Sequence, residues 1–318
     1  MNSPSVLLVG CGEMAVSYAR VLKALDTPFE VIGRRREACA AFAEKTGITP
    51  RPGGVAAVAG RLPQQTAIVA VNIDQLAAVV RQLLEAGVRN ILVEKPGGLN
   101  AAEISATAGF AAPSDARIFV AYNRRFYASV QKARELIAAD GGATSFFFEF
   151  TEWSHLITDL PQPPAVKQEW FLANASHLCD LAFYLGGFPA QLTAHSSGTL
   201  DWHPRGAQFT GCGISRTGAL FAYHSNWESA GRWGLEICTA KRRLYLRPLE
   251  LLHEQMRGEL TLNPVPLDDQ LDKKFKPGLH AQTKAFLEGG SATPELLTLK
   301  EQARHVAEVY CRMVPRRS

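Results

Sequence analysis

The chain has 318 residues, 47% hydrophobic and 20% charged, with a formal net charge of +4. That length exceeds what one hydrophobic core usually supports, so two domains are expected. The small charge excludes the global basic field of a nucleic-acid binder, and no apolar run approaches the ~18 residues of a membrane span.

Met1-Asn2-Ser3-Pro4-Ser5 has no basic region, and the apolar stretch after it breaks at Gly10-Cys11-Gly12, unlike a secretory leader. Six cysteines (Cys11, Cys39, Cys179, Cys212, Cys238, Cys311) are scattered, with no Cys-x-x-Cys pair and no histidine at zinc spacing. That pattern reads as reduced thiols in a cytoplasmic protein with no metal site, and charge and hydropathy lead to the expectation of no nucleic-acid or membrane partner.

In the first third, short apolar runs recur at Val6–Val9, Phe29–Ile32, Ala67–Val71, Ile91–Val93 and Ile118–Ala121. Between them, Ala15–Leu25, Arg36–Lys45, Gln75–Ala86 and Ala101–Ala111 carry helical spacing. Continuous apolar strands alternating with helices predict an α/β fold with a doubly wound parallel sheet covered on both faces.

The pattern changes near Tyr122, which divides the chain into an expected dinucleotide-binding domain, 1–122, and a second domain, 123–318. A helix over Tyr127–Ala139 stops at Asp140-Gly141-Gly142. A strand is expected over Ser145–Trp153, then a Pro-rich loop at Leu160–Val166 and a helix near Ala173–Leu185. Strands follow near Gln191–Ser197, Gln208–Ser215, Ala219–Asn226, Gly234–Thr239 and Arg242–Leu246, and their short connections predict an antiparallel sheet. Helices near His280–Glu288 and Lys300–Met313 close the chain.

The sequence Val6-Leu7-Leu8-Val9-Gly10-Cys11-Gly12-Glu13-Met14-Ala15 reads as a strand, a glycine turn and a helix start. Gly10 permits the turn, Gly12 lets a pyrophosphate approach the backbone, and Ala15 allows close helix–strand packing. The helix N-terminus then offers free N–H groups and a favourable dipole. A bare Gly-x-Gly can be a structural turn; its place on the first βαβ unit favours a nucleotide. Asn72, just past the third strand, belongs to the same expected site.

At the end of the second strand stand Gly33-Arg34-Arg35-Arg36, where an NAD site would carry an Asp or Glu for the ribose 2′-hydroxyl. Gly33 leaves room, and Arg34 and Arg35 suit a 2′-phosphate. NADP is therefore expected over NAD.

Leu92-Val93-Glu94-Lys95-Pro96-Gly97-Gly98 follows the strand at Ile91–Val93. Strand carboxyl ends gather catalytic groups in open α/β sheets, although a lone lysine there is more often solvent-facing. Gly10–Ala15, Glu94-Lys95-Pro96, Tyr122-Asn123-Arg124-Arg125-Phe126 and Ser176-His177-Leu178-Cys179-Asp180-Leu181 together resemble the glucose–fructose oxidoreductase and inositol 2-dehydrogenase family over essentially the whole chain.

The resemblance implies a Rossmann domain, then an α/β domain with a large, mostly antiparallel sheet through which dimers or tetramers form. It also implies hydride transfer at a carbinol or carbonyl carbon of a sugar, sugar nucleotide or polyol. Lys95 would bridge the nicotinamide ribose and the reacting oxygen, with Glu94 and Pro96 beside it, and His177 would be the general acid/base. Imidazole suits that role because its ordinary pKa lies near neutrality.

The helix pattern agrees: Leu178, Leu181, Ala182 and Leu185 form an apolar stripe, with Asn174, His177 and Asp180 on a neighbouring arc. Asp180 is available to orient the imidazole or to serve structure. Many relatives carry an Asp four residues before this His, where this chain has Ala173; Asn174 next to it offers a substrate contact but no carboxylate base.

Asn123, Arg125 and Trp170 are further expected substrate contacts. Glu152, Trp153 and His155 are weaker candidates for a sugar wall, equally readable as packing. Tyr223, His224, Asn226, Trp227 and Trp233 read as sheet residues, with a subunit interface as one possible use. A dinucleotide-binding sensor that has lost chemistry and an imine reductase remain as alternative functions.

Overall fold

The computed structural model describes residues 6–57, 62–289 and 293–315; the opening five residues read above as no leader lie outside them. Two compact units divide the chain: Met1–Tyr122 with Lys274–Arg304, and Asn123–Lys273 with His305–Ser318.

In the first unit β1 (Val6–Val9), α1 (Glu13–Ala24), β2 (Phe29–Ile32), α2 (Arg36–Thr46), β3 (Thr66–Val69), α3 (Leu76–Glu85), β4 (Asn90–Glu94), α4 (Ala101–Ala111) and β5 (Arg117–Ala121) follow in turn. Parallel pairing places β1 between β2 and β3, with Val9 level with both Ile32 and Val69. The inner strands are apolar at their centres because helices cover both faces; Leu7, Leu8, Ile68 and Leu92 are fully buried, while edge strand β2 exposes Glu30. The β1–α1 turn therefore opens at the point where strand order reverses, the usual ligand crevice of such sheets.

The chain returns to this sheet late. Leu297–Thr298 pairs antiparallel with β5 and closes the edge, giving a six-stranded order that ends in that pair. Two residues carry no periodicity, so no sequence pattern announces this strand.

The second unit opens with a 3-10 turn at Asn123–Phe126, then α5 (Ala128–Ala139), β6 (Ser145–Glu149), α6 (Ser154–Thr158), α7 (Pro164–Gln168) and α8 (Ser176–Gly186). Next come β7 (Pro189–Ser197), β8 (Gln208–Ser215), β9 (Leu220–Asn226), β10 (Gly234–Cys238), β11 (Arg242–Leu246), β12 (His253–Met256) and β13 (Asn263–Pro264). They form an eight-stranded sheet in the order β13-β12-β11-β10-β6-β9-β8-β7, antiparallel except where β6 meets β9. α9 (Gln270–Lys274), α10 (Leu279–Leu287), β14 (Leu297–Thr298), α11 (Leu299–His305) and α12 (Cys311–Met313) complete the chain, the last two joined by a π turn at Val306–Tyr310.

Alternation along β6 sends Phe146 and Phe148 to one face of the sheet. There Phe148 packs edge-on against Phe183 of α8 at 5.5 Å and stacks on Tyr223 of β9 at 5.3 Å. Such aromatic pairs add roughly 0.5–1.5 kcal/mol each beyond their burial. The strand expected to reach Trp153 ends at Glu149, because Thr151 and Glu152 are both buried and the two-residue alternation stops there. The helix expected from Ala173 begins as a π turn, Phe171–Ala175, ahead of α8.

Candidate functional site

Gly10 has φ +127°, and a Cβ on it would stand 2.1 Å from the Ala70 carbonyl oxygen of the neighbouring strand. No residue with a side chain fits that turn. Gly12, which precedes α1, has open space around its α-carbon and no side-chain cap. The first N–H groups of α1 are thus offered to a ligand, while Ala15 is buried against the sheet and Met14 lies half-buried beside it.

The turn opens on a cavity of about 450 Å³ lined by Gly10, Gly12, Arg34, Arg35, Asn72 and Gln75 among others. Arg34 and Arg35 are exposed at its rim. Arg34 Nη1 donates to Gln75 Oε1 at 2.8 Å, which fixes its direction. The lining carries one carboxylate, Glu13, paired with Lys45, whose ammonium holds that carboxyl below its usual range. No acid stands at the end of β2 to receive a ribose 2′-hydroxyl.

Gly33 has a different reason from the one expected. A Cβ there would lie 2.3 Å from the Cys39 sulfur and 2.5 Å from that of Cys11, so the glycine makes room for two thiols rather than for a phosphate. The residues present fit a dinucleotide: a glycine turn that no Cβ can fill, free helix N–H groups, and two guanidiniums on one cavity.

Lys95 follows β4 directly, and its peptide bond to Pro96 is cis. Gln302, fully buried, donates through Nε2 to the Pro96 carbonyl at 3.2 Å and to the Tyr122 hydroxyl at 2.9 Å. Glu94 is turned to α1, where its Oε1 accepts from the Tyr18 hydroxyl at 2.9 Å, and burial pushes its carboxyl pKa up. The turn that carries Lys95 is therefore pinned on both sides, by Tyr18 and by Gln302.

In the second unit Arg125 and Asp180 form a buried, two-pronged pair, Nε to Oδ2 at 2.8 Å and Nη2 to Oδ1 at 2.6 Å. Their side chains are 7% and 1% exposed, so the pair ties the Asn123–Phe126 turn to α8 out of reach of bulk water. Asp180 directs both oxygens at this guanidinium rather than at an imidazole. Asn123 is buried in the same turn. His177, on the first turn of α8, is 5% exposed, and its ring tilts against Trp233 with centroids 6.2 Å apart.

Glu152 is the group that sequence reasoning underweighted. Its carboxyl is 2% exposed and accepts from Asn174 Nδ2 at 2.8 and 3.1 Å. Burial pushes its pKa up to about 7; Arg232, the Asn174 amide and the Trp170 indole only partly oppose that rise. Asn174, expected at the substrate, thus holds a carboxyl, and Trp170 lies buried beside it. The signal was the break in alternation at Thr151–Glu152, a charge placed where the strand pattern demanded an apolar or exposed residue.

A doubly wound sheet with a glycine turn at its reversal point defines a class, the dinucleotide-binding proteins. Residues 5–122 match the Gfo/Idh/MocA family model, described as "Oxidoreductase family, NAD-binding Rossmann fold".

Among solved structures, the chain is similar to UDP-N-acetylglucosamine 3-dehydrogenase GnnA from Acidithiobacillus ferrooxidans, with TM-score 0.75 and 18% identity over 99% of this chain and 98% of that one. An oxidoreductase from Agrobacterium radiobacter in complex with NAD+, L-tartaric acid and magnesium superposes with TM-score 0.79 and 16% identity, covering 99% and 98%. Levoglucosan dehydrogenase in complex with NADH and levoglucosan gives TM-score 0.77 and 18% identity, covering 98% and 96%. At these identities the likeness establishes the fold across both units. A sequence comparison with curated proteins gives no match. No helix among the described residues is long and apolar enough to cross a membrane.

Proposed function

We propose that the chain is an NADP(H)-preferring oxidoreductase that moves hydride to or from a carbonyl or carbinol carbon of a sugar, sugar nucleotide or polyol-like substrate. The observation that carries the cofactor reading is the cavity at the β1–α1 turn, where Arg34 and Arg35 stand and no acid closes the end of β2. Guanidiniums pair with phosphate through two parallel N–H bonds, while a 2′-hydroxyl gains nothing comparable from them. Neighbours described as acting on UDP-N-acetylglucosamine and levoglucosan support a sugar-like substrate.

The bound nicotinamide supplies or accepts the hydride. In this reading Gly10, Gly12 and Ala15, with Glu13 and Met14 beside them, shape the pyrophosphate cradle, and Asn72 contacts the same nucleotide. Lys95 presents its ammonium to the ribose and the reacting oxygen, from a turn held by Glu94 and the Pro96 carbonyl. His177 gives or takes the proton on that oxygen, while Asn123, Trp170 and Asn174 shape the substrate side. The second unit serves substrate binding and assembly, through the open face of its sheet, into a homodimer or homotetramer in the cytoplasm.

Replacing Arg34 and Arg35 together by alanine should weaken NADPH roughly 10- to 150-fold, the scale of charged hydrogen bonds, and leave NADH nearly unchanged. Calorimetric titration of both nucleotides reads this directly. An unaltered ratio of the two affinities would remove the arginines from the 2′-phosphate.

A further inference from the structure

Arg124 and Arg125 are adjacent in the same 3-10 turn, yet their guanidiniums meet different surroundings. Arg125 is consumed by Asp180. Arg124 lies over the Trp233 ring, 4.7 Å from its centroid, and among the described residues no carboxylate comes within ion-pair distance of it. Surrounding protein desolvates it enough to lower its pKa, although the residue keeps some accessible surface. A charged group stripped of water but still reachable is what the floor of a binding site looks like.

Arg232, from the β9–β10 connection, approaches the same indole at 5.3 Å, so two positive charges share one ring. Like charges at this range repel, and only the nearby acids offset that cost. Glu152 Oε2 lies 3.7 Å from Arg232 Nη1. The indole N–H of Trp233 is itself buried with no acceptor among the described residues. Unmet donors thus come from two different residues beside His177.

We infer that Arg124, Arg232 and the indole of Trp233 form a subsite for an oxyanion carried by the substrate, a carboxylate or a phosphate. The inference rests on the oxidoreductase reading only for the word substrate; the subsite itself depends on the second unit alone. Planar guanidiniums match either anion with paired N–H bonds, and Trp153, under Arg232 at 4.7 Å, extends the aromatic wall towards a sugar ring. A neutral sugar would leave the Arg124 guanidinium without a counter-charge and bind poorly.

Glu152 gives the subsite a pH dependence. Its carboxyl faces Arg232, Arg124, Asn174, Trp170 and the Cys179 thiol, and titrates at about 7. Arg124 is also faced by Tyr127 and Glu250. An arriving anion raises the carboxyl pKa further, so the bound state holds more protons than the free one. Affinity for the anion therefore rises as pH falls through 7 and declines above it.

Calorimetry on the NADP+-saturated chain, repeated without nucleotide, tests this with D-glucuronate, D-glucose 6-phosphate and D-glucose as probes at pH 6 and pH 8. Glucuronate or glucose 6-phosphate should bind saturably, tighter at pH 6 and with proton uptake, and glucose much more weakly. Binding of the first alone assigns a carboxylate, and of the second alone a phosphate. Arg124→Met should cost roughly tenfold or more in affinity for the anion. Arg232→Met, at a half-exposed position, should weaken it in the same direction. Equal binding of all three sugars, no binding of either anion, or anion affinity untouched in both variants would overturn the subsite. A chain that binds anions here but transfers no hydride would sink the oxidoreductase reading and leave the subsite standing.

Discussion

His177 lies at the start of α8 with its ring against Trp233, on the same helix that Arg125 grips through Asp180. That pair fixes the helix and the indole flanks the ring, so the imidazole is placed by packing where a proton carrier needs a defined position. Asparagine preserves size and polarity but cannot cycle a proton at neutral pH. His177→Asn should lower turnover roughly 10²- to 10⁴-fold and leave NADPH affinity unchanged. Steady-state rates beside a nucleotide titration check both halves, and a variant that keeps its turnover would exclude His177 as the acid/base. The sequence showed the histidine and its helical arc, but not which arginine of Arg124-Arg125 pairs internally. Adjacent residues in a 3-10 turn point about a third of a turn apart, and only the packing of α8 decides which meets Asp180.

At the scale of elements, the Arg125–Asp180 pair joins the first turn of the second unit to its central helix. Breaking a buried pair by removing one partner leaves the other charge without compensation, at a cost of about 3–5 kcal/mol. Asp180→Asn should lower the unfolding free energy by that order, measured by urea denaturation. A loss below about 1 kcal/mol would place the pair among surface bridges instead. The inner strands of the first sheet were legible because burial on both faces forces apolar runs at their centres. β6 was legible only to Glu149, since beyond it the chain obeys the contacts of Glu152 with Asn174 rather than the pleat. Gly33 was legible as a glycine position but not for its reason, because the sulfurs of Cys11 and Cys39 meet it from segments distant in sequence.

For the whole molecule, the alternation of strands and helices announced a nucleotide-binding sheet followed by an antiparallel one, and both sheets are present. The chain's late return, in which Lys274–Arg304 joins the first unit and Gln302 pins the Lys95 turn, left no trace in periodicity. Long-range pairing of a two-residue strand is set by where the chain arrives, not by its composition. The proposed function rests on the first unit holding a nicotinamide nucleotide and distinguishing its 2′-phosphate. Titrating the purified chain with NADPH and NADH in parallel measures that most directly. The expected result is saturable binding of both nucleotides, NADPH the tighter by roughly tenfold or more. Binding of neither would contradict the account.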